Sequence, residues 1–209
     1  MNMKKLLLLS AMSLFFFAIT QSASAQIDAI VNGGFETGNF NGWTIDGNSN
    51  TPVVNTVNPH SGTYSAAAGL FGPFPSPEPT GDSSFFQLFT VPTGGTLSFW
   101  HWDYTTDTIT FDWQDAYIIN SSGVILQTIF HQCNNTGTWL NTTVSLAAYV
   151  GQTVGVKFLV HQDGFGDDTG MYVDDVSVVP EPGVASLSLL GFGALAATGI
   201  VRRVRRSAA

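Results

Sequence analysis

The stretch TLSFWHWDY, residues 96–104, alternates two kinds of side chain along its length. Side chains of a β-strand point alternately to opposite faces, so Leu97 and Phe99 share one face and the other face carries Trp100, Trp102 and Tyr104. Only one face of a half-buried strand belongs to the core. With Leu97 and Phe99 inward, the stretch predicts a strand whose outer face carries a ladder of three aromatic rings.

Short runs rich in Val, Thr, Phe and Tyr occur along the rest of the chain and are separated by clusters of Gly, Asn, Pro and Ser. They are TPVVNTV (51–57), SSFFQLFTV (83–91), DAYIIN (115–120), GVILQTIF (123–130) and TVGVKFLV (153–160). No window shows the 3.6-residue apolar repeat of a helix. The pattern predicts an all-β fold, a jelly-roll β-sandwich of about eight to ten antiparallel strands. The proline-rich segment Gly69–Ser84 is predicted to be a long surface loop.

The run 153–161 suggests where a ligand binds. Its alternation places Val154, Val156, Phe158 and Val160 inward and Lys157, Leu159 and His161 outward. If this strand lies beside 96–104, the outward side chains form a groove, and the predicted ligand-binding residues are Trp100, Trp102, Tyr104, Lys157 and His161. Flat aromatic rings hold the apolar faces of sugars. Alternatively, the proline-rich loop covers Trp100 and Trp102, which then form a second small core.

Charge limits the range of partners. Residues 26–179 are predicted to form one domain, and they contain fourteen Asp and Glu residues against a single basic residue, Lys157. So acidic a surface repels phosphate backbones, which excludes nucleic acid as a partner, and it favours divalent cations and neutral ligands. The lone Cys133 is either a buried small side chain or the source of an intermolecular disulfide.

The first 25 residues have the order of a secretory signal peptide. Lys4 and Lys5 precede the apolar run 6–20, and the small residues 23–25 follow. We expect an apolar signal helix that is cleaved before Gln26, and therefore an exported protein.

The C-terminal end predicts a membrane-spanning helix. Residues 184–201 carry no charge, and they are followed directly by Arg202, Arg203, Arg205 and Arg206. Eighteen residues at 1.5 Å each nearly cross the hydrocarbon core of a bilayer, about 30 Å thick. The arginines stay on the cytoplasmic side, so residues 26–179 lie outside the cytoplasm.

The order of parts in residues 180–206 resembles the PEP-CTERM sorting signal, which has a Pro-Glu-Pro triplet, an apolar helix and an arginine cluster. Here the triplet is Pro180, Glu181 and Pro182. The resemblance implies processing near the triplet by a membrane protease of the exosortase type. It also implies an inner-membrane intermediate followed by delivery to the cell surface or extracellular matrix.

Three patches of residues 26–179 resemble the galactose-binding-like jelly rolls, which include many carbohydrate-binding modules and the MAM adhesion domains. They are NGGFETGNFNGW (32–43), HSGTYSAAAG (60–69) and MYVDDVSVV (171–179). The resemblance implies a structural calcium ion that ties the two chain ends together. Its ligands would be Glu36 and Asp174, with Asp175 as a weaker candidate and backbone carbonyls of 32–34 or 61–65 as helpers. The alternative is that Glu36 and Asp174 are solvated ends of edge strands.

A second acidic segment, DGFGDDTG (163–170), offers three more carboxylates. Asp163, Asp167 and Asp168 form either a weaker second calcium site or a plain acidic turn, because the spacing of an EF-hand loop is absent.

Catalysis has little support in the sequence. Asp103, Asp107, Asp112 and Asp115 are close enough in sequence to suggest a glycosidase pair, but a chain this acidic offers many such pairs. No nucleophile elbow or phosphate loop occurs. We therefore expect a protein that is not an enzyme and binds extracellular polysaccharide. The alternatives are a structural or adhesion protein with a protein partner and, less favoured, a polysaccharide hydrolase or lyase.

Overall fold

The computed structural model describes residues 27–72 and 78–180, which fold into two antiparallel β-sheets with a shared apolar core. The predicted signal peptide and the predicted tail from Glu181 onward lie outside the described residues. Within these two ranges, no helix is both long and apolar enough to cross a bilayer. The prediction of an all-β sandwich is confirmed, with ten strands in the described part of the chain.

Each sheet contains five strands. Sheet I has the order β1-β4-β9-β6-β7 and sheet II the order β2-β3-β10-β5-β8. The strands are β1 (Thr44–Ile45), β2 (Val53–Asn55), β3 (Ser65–Gly69), β4 (Gly81–Thr90), β5 (Gly95–Thr105), β6 (Trp113–Asn120), β7 (Ile125–Gln132), β8 (Leu140–Ser145), β9 (Thr153–Gln162) and β10 (Thr169–Pro180). A short 3₁₀ turn, Ala147–Tyr149, precedes β9.

The predicted loop Gly69–Ser84 is wrong at its C-terminal end. Strand β4 begins at Gly81, and residues 81–84 pair with residues 159–162 of β9. Gly, Asp and Ser are poor strand formers, which is why the sequence predicts a loop here. The hydrogen bonds offered by β9 outweigh that weak local preference.

The core between the sheets is built around aromatic rings. Phe85, Phe99 and Phe158 are fully buried, and the Phe158 ring centroid lies 5.4 Å from that of Phe85 and 4.9 Å from that of Phe99. Phe35 and Trp43 come from the segment before β1 and close the core from one side. The inward positions predicted for 96–104 and 153–161 are confirmed, because Leu97, Phe99, Val154, Val156, Phe158 and Val160 are all buried.

A bulge in β10 ties the N-terminal segment to the last strand. The pairing of β10 with β5 shifts register between Asp174 and Ser177, and this shift frees the N–H of Val176 to donate to the carbonyl of Gly33 at 3.0 Å. Further along, the N–H of Ala29 donates to Val178 O at 3.0 Å. Residues 29–33 therefore run along β10 in the place of an additional strand.

The interior becomes polar toward one end of the sandwich. Beyond Phe99, the inward positions of β5 are His101, Asp103 and Thr105, all buried. Gln132 Nε2 donates to Asp103 Oδ2 at 2.8 Å, and His101 Nδ1 lies 3.0 Å from the same carboxylate. Buried polar groups are tolerated when they are hydrogen-bonded to one another, so this end of the sandwich is a network and not an apolar core.

The neighbours Phe85 and Phe86 on β4 provide a test of the inward and outward assignment. Replacing the fully buried Phe85 by Ala should lower the free energy of unfolding by about 3–5 kcal/mol, since it opens a cavity among four aromatic rings. Phe86→Ala is the matched control and should cost about 1 kcal/mol or less, because this side chain lies on the outer face. Urea unfolding of both variants measures the difference, and equal losses would contradict the assignment.

Candidate functional site

Three of the five tryptophans of the chain lie on the outer face of sheet II. Trp100 and Trp102 point outward from β5, as the alternation predicts, and Trp139 stands just before β8. All three side chains are half-buried. We call Trp100, Trp102, Trp139 and the neighbouring His60 the tryptophan face.

The rings of the tryptophan face pack on one another. The His60 imidazole stacks on Trp100 with 3.9 Å between centroids and 16° between planes. Trp139 meets both His60, at 5.5 Å, and Trp102, at 6.3 Å, with the two indoles at 76°. Within the described residues no other ring stacks on Trp102. Trp102 and Trp139 therefore form a corner of two nearly perpendicular indole planes.

The aromatic ladder continues to Tyr104 and is partly covered there. Phe71, from the segment after β3, stacks on Tyr172 with centroids 4.1 Å apart and lies 6.1 Å from Tyr104. Tyr172 faces Trp102 across the β5–β10 pair. In the described part of the proline-rich segment, Phe71 therefore covers Tyr172 and Tyr104, and not Trp100 or Trp102 as the second alternative predicted. Trp100 is covered by His60, and Trp102 stays half-exposed.

Carboxylates of the β10 bulge hold His60 in place against Trp100. Asp174 is fully buried, and its Oδ2 accepts hydrogen bonds from the backbone N–H groups of His60, at 2.9 Å, and Ser61, at 3.1 Å. Asp175 Oδ2 lies 2.6 Å from His60 Nδ1, and Asp175 Oδ1 accepts from Ser61 Oγ at 2.7 Å. The residues predicted to bind calcium therefore contact the turn that carries part of the tryptophan face.

Glu36 holds the other half of the same turn. Its Oε1 accepts from the backbone N–H groups of Thr63 and Tyr64, each at 2.9 Å. Gly62 fits between because it has no side chain: with φ at +61°, a Cβ there would lie 2.5 Å from Glu36 Oε1. The turn 60–64 is thus clamped between Glu36 and the Asp174–Asp175 pair, which come from opposite ends of the chain.

Carboxylates from the two ends of the domain approach one another around Gly34. The pKa of Asp174 is raised to about 6, because burial and the charge of Asp175 raise it by more than the surrounding backbone N–H groups lower it. Among the described residues, the non-glycine residues with positive φ are Asn32, Phe35 and Asp175, and all three adjoin these carboxylates. Such backbone strain concentrates at ligand sites. The Cβ position of Gly34 lies 3.8 Å from both Asp174 Oδ1 and Glu36 Cγ, so this glycine keeps the space between them open.

The groove predicted from 96–104 and 153–161 is wrong as a single site. Strand β5 pairs with β8 and β10 in sheet II, while β9 belongs to sheet I, so Lys157 and His161 lie on the opposite outer surface from the tryptophan face. Lys157 Nζ is 2.8 Å from Asp46 Oδ2. The alternation of a strand fixes which way its side chains point and carries no information about which strand it pairs with.

The outer face of sheet I has its own aromatic and polar cluster. His161 stacks on Trp113 of β6 with centroids 3.9 Å apart. His131, on the adjoining strand β7, has its ring centroid 5.5 Å from that of Trp113. Each histidine contacts an acid, Asp82 at 2.6 Å and Asp115 at 2.7 Å. Trp113 was not among the predicted site residues, because the predicted strand began at Asp115.

The four aspartates that suggested a glycosidase occupy separate environments. Asp103 is inside the polar end of the sandwich, and Asp115 is held on the outer face of sheet I by Tyr117 and His131. Asp112 is fully buried beside the backbone N–H of Asp163, and Asp107 lines a pocket between loops.

The three aspartates of the acidic loop after β9, Asp163, Asp167 and Asp168, do not converge on one point. Asp168 is buried and its backbone pairs with Thr106, while Asp167 lines an open pocket of about 370 Å³ together with Asp107, Phe111, Asp163 and Phe165. Asp163 instead lies close to Glu78 and Asp112. The three carboxylates predicted to form a second calcium site, Asp163, Asp167 and Asp168, therefore do not lie together.

Cys133 is half-buried at the edge of the polar network. Its Sγ lies 3.4 Å from Thr105 Oγ1 and donates to the carbonyl of Asp107 at 3.5 Å. Burial raises the pKa of the thiol, so it stays protonated and weakly reactive at neutral pH.

His60 and Trp139 are site residues that the prediction did not include. His60 belongs to the patch HSGTYSAAAG, and no local signal in the sequence shows that it meets Trp139 beside Trp100. His60 is 40 residues before Trp100, and only the turn clamped by Glu36 and Asp174 brings it there.

Comparisons with known proteins show similarity of fold. No protein-family model and no curated protein matches the sequence. Among solved structures, the carbohydrate-binding module TmCBM61 in complex with β-1,4-galactotriose is 18% identical, with 74% of this chain and 99% of that chain covered and a TM-score of 0.55. The K1 cleaved adhesin domain of Lys-gingipain from Porphyromonas gingivalis W83 is 15% identical, with 76% and 100% covered and a TM-score of 0.53. The enzymatically active domain of tailspike protein 4 of bacteriophage CBA120 is 15% identical, with 73% of this chain but 21% of that chain covered and a TM-score of 0.51. The chain shares its β-sandwich fold with TmCBM61 and the K1 adhesin domain, and with the matched fifth of the tailspike domain.

Proposed function

We propose that this protein is an exported, non-catalytic β-sandwich of the jelly-roll type that binds extracellular polysaccharide through the tryptophan face. The observation that carries the proposal is the half-exposed cluster of three tryptophans on the outside of sheet II. The core is already filled by other aromatic and aliphatic side chains, so packing of the sandwich does not require these rings.

The chemistry of the tryptophan face suits a sugar ring. Indoles offer a large flat apolar surface, and a pyranose presents C–H groups of matching shape. The corner of Trp102 and Trp139 would contact a ring on one face and along one edge. His60 and Asn141, which faces Trp100 across the β5–β8 pair, supply polar groups for hydroxyls. The excess of carboxylates over basic groups favours a neutral glycan.

The similarity of fold supports this proposal by analogy. TmCBM61, which shares the sandwich, was solved with a galactose trisaccharide bound. A fold alone does not fix a function, because many activities occur on the same sandwich. Glycan binding is therefore inferred from the tryptophan face, and the shared fold supplies a suitable scaffold for it.

A structural calcium ion would complete the clamp on the turn 60–64. Glu36 and Asp174 would be its carboxylate ligands, with Asp175 as a further candidate and backbone carbonyls of 32–34 or 61–65 filling the shell of six to eight oxygens. A bound calcium ion would supply positive charge to an acidic region in which, among the described residues, the basic side chain in contact is that of His60. By fixing the turn, the ligands would also fix His60 against Trp100.

The two chain ends give the proposed route of the protein. The signal peptide 1–25 directs export, and the sorting tail 180–206, with its apolar helix 184–201, holds the protein in the inner membrane until an exosortase-type protease processes it. The sandwich then reaches the cell surface or the extracellular matrix, where polysaccharide binding would help to organise an envelope or biofilm.

An adhesion protein with a protein partner is the second candidate. It is favoured by the stacking of His60 on Trp100, which covers one face of that indole, and by the similarity of fold to the gingipain adhesin domain. Under this hypothesis the rings stabilise loops and the partner binds elsewhere.

Affinity electrophoresis tests the glycan proposal. The purified protein should be retarded in at least one gel of a panel of neutral and acidic polysaccharides. A Trp102→Ala, Trp139→Ala variant should bind at least tenfold more weakly, since two stacking contacts at roughly 1 kcal/mol each are lost. Trp113→Ala is the matched control, a half-buried tryptophan on the opposite outer face. Loss of retardation with Trp113→Ala alone would move the site to sheet I, and no retardation in any gel would favour the adhesion hypothesis.

Thermal denaturation with and without calcium tests the Glu36–Asp174 site. At about one hundred times the Kd, a bound ion stabilises by about 2.7 kcal/mol, which is roughly 5–10 °C in Tm for a domain of this size. Calcium bound at this site should raise the Tm of Glu36→Gln much less than that of the parent. Asp167→Asn, at an exposed position far along the chain, is the control and should keep the full gain. The same gain in Glu36→Gln as in the parent would contradict the site.

The pKa of Asp174 predicts how the calcium-free protein responds to pH. The folded value of about 6 lies above the ordinary 3.8, so the folded state takes up the proton more readily than the unfolded state. The stabilisation is fully present below about pH 4 and is lost as the pH rises through about 6. In chelator, Tm should therefore fall between these pH values, and the fall should be smaller in Asp174→Asn. Equal slopes for the two proteins would show that Asp174 is not responsible.

A further inference from the structure

Three carboxylates from distant parts of the chain meet at the polar end of the sandwich. Glu78, Asp112 and Asp163 each place an oxygen within 4.8 Å of the others. Glu78 precedes β4, Asp112 precedes β6 and Asp163 follows β9. Glu78 and Asp112 are 4% and 0% exposed, and Asp163 is half-buried. Like charges this close and this buried repel one another unless something offsets the charge.

The cluster contains a buried oxygen without a partner. Asp112 Oδ1 accepts from the N–H of Asp163 at 2.9 Å, but the fully buried Asp112 Oδ2 has no hydrogen-bond partner of normal geometry. The Thr169 hydroxyl acts on the pKa of Asp112, but its oxygen lies 2.7 Å from Thr105 Oγ1, with which it hydrogen-bonds. A second acceptor without a partner is Gln162 Oε1, on a fully buried side chain whose Nε2 donates to Glu78 Oε1 at 3.1 Å. Buried acceptors without donors are rare in folded proteins, and a bound water or ion is one way in which they are satisfied.

Backbone donors surround the cluster but do not neutralise it. Glu78 Oε2 accepts from the N–H groups of Gly164, at 3.1 Å, and Gly166, at 3.2 Å. The loop can wrap Glu78 this closely because Gly164, with φ at +91°, has no Cβ to meet Thr80 Oγ1 at 2.2 Å. None of the ion pairs among the described residues includes a member of the trio.

We propose that Glu78, Asp112 and Asp163 bind a calcium ion at the polar end of the sandwich, with Gln162 as a neighbouring oxygen donor. This site is separate from Glu36 and Asp174 and does not depend on the glycan-binding proposal. The ion joins three segments that sequence separates, the approach to β4, the approach to β6 and the loop after β9.

The donor set selects the kind of ion. All the side chains offer oxygen, which hard cations such as Ca²⁺ and Mg²⁺ prefer and which disfavours soft metals. Mg²⁺ gives up its waters reluctantly and is usually held by one or two carboxylates, whereas Ca²⁺ accepts six to eight oxygens in flexible geometry. Three carboxylates and an amide oxygen at a largely buried position therefore favour Ca²⁺.

A shared proton is the competing explanation. Burial raises the pKa of Asp112 to about 7, with the Glu78 carboxylate adding to the rise and the Thr169 hydroxyl and the N–H of Asp163 opposing it. A protonated Asp112 would relieve the repulsion without any metal. The two explanations differ in one measurable quantity, the number of calcium ions that the folded protein holds at neutral pH.

The site also affects the loop pocket next to it. Asp163 lines both the trio and the open pocket that carries the exposed rings of Phe111 and Phe165. An ion held by Asp163 would fix one wall of that pocket.

Equilibrium dialysis against radioactive calcium at neutral pH tests the proposal. Asp112→Asn and Asp163→Asn should each bind one calcium ion fewer per chain than the parent. Asp163→Asn, at a half-buried position, serves if Asp112→Asn does not fold. Asp167→Asn, which lines the same pocket from an exposed position outside the trio, is the matched control and should bind as many ions as the parent.

The possible outcomes separate this site from the one at Glu36. Loss of one ion in both trio variants but not in Asp167→Asn supports the proposal, whether or not Glu36→Gln also loses an ion. The same calcium count in Asp112→Asn, Asp163→Asn and the parent overturns it and favours the shared proton. A parent that binds no calcium also overturns it, together with the site at Glu36. A count that falls only in Glu36→Gln supports that site and rejects the trio.

Discussion

The bulge in β10 between Asp174 and Ser177 is the constraint on which the functional side of this protein depends. It frees the N–H of Val176 for Gly33 and so brings the N-terminal segment alongside the last strand. At the same place Asp174 and Asp175 hold the turn that carries His60. Bulges commonly redirect side chains next to functional sites, and here one bulge connects both chain ends to the tryptophan face.

The tryptophan face and the clamp on the turn 60–64 form one connected structure. Asp174 faces Trp100 across the β5–β10 pair, and the His60 ring covers that indole. Anything that changes the charge of the clamp, a proton or a cation, therefore acts one residue away from the aromatic surface. Through this connection, a calcium ion bound at the proposed site would shape the proposed glycan site without a direct contact to the glycan.

The two ends of the sandwich are stabilised by different interactions, apolar burial at one end and hydrogen bonds between polar side chains at the other. Around Phe158 the sheets are held by burial of aromatic rings. At the other end, the inward positions of β5 and β6 carry acids and amides, and stability there depends on a hydrogen bond for each buried polar group. Among the buried side-chain atoms of the described residues that lack a hydrogen-bond partner, Asp112 Oδ2 and Gln162 Oε1 both lie at this end, beside Glu78 and Asp163. Such a region is suited to a bound ion, and loops that carry exposed aromatic rings begin beside it.

The sequence by itself determined the fold class, the positions of β2, β4 to β7 and β9, and the direction of their side chains. The alternation in 96–104 and 153–161 sufficed to place Leu97 and Phe158 inward and Trp100 outward, because side-chain direction in a strand is a local property. The tertiary structure alone decided which strands are neighbours. It separated His161 from Trp100, and it brought Glu78 to Asp112. Pairing between strands depends on the packing of the whole sandwich, and the order of residues along any one strand does not encode it.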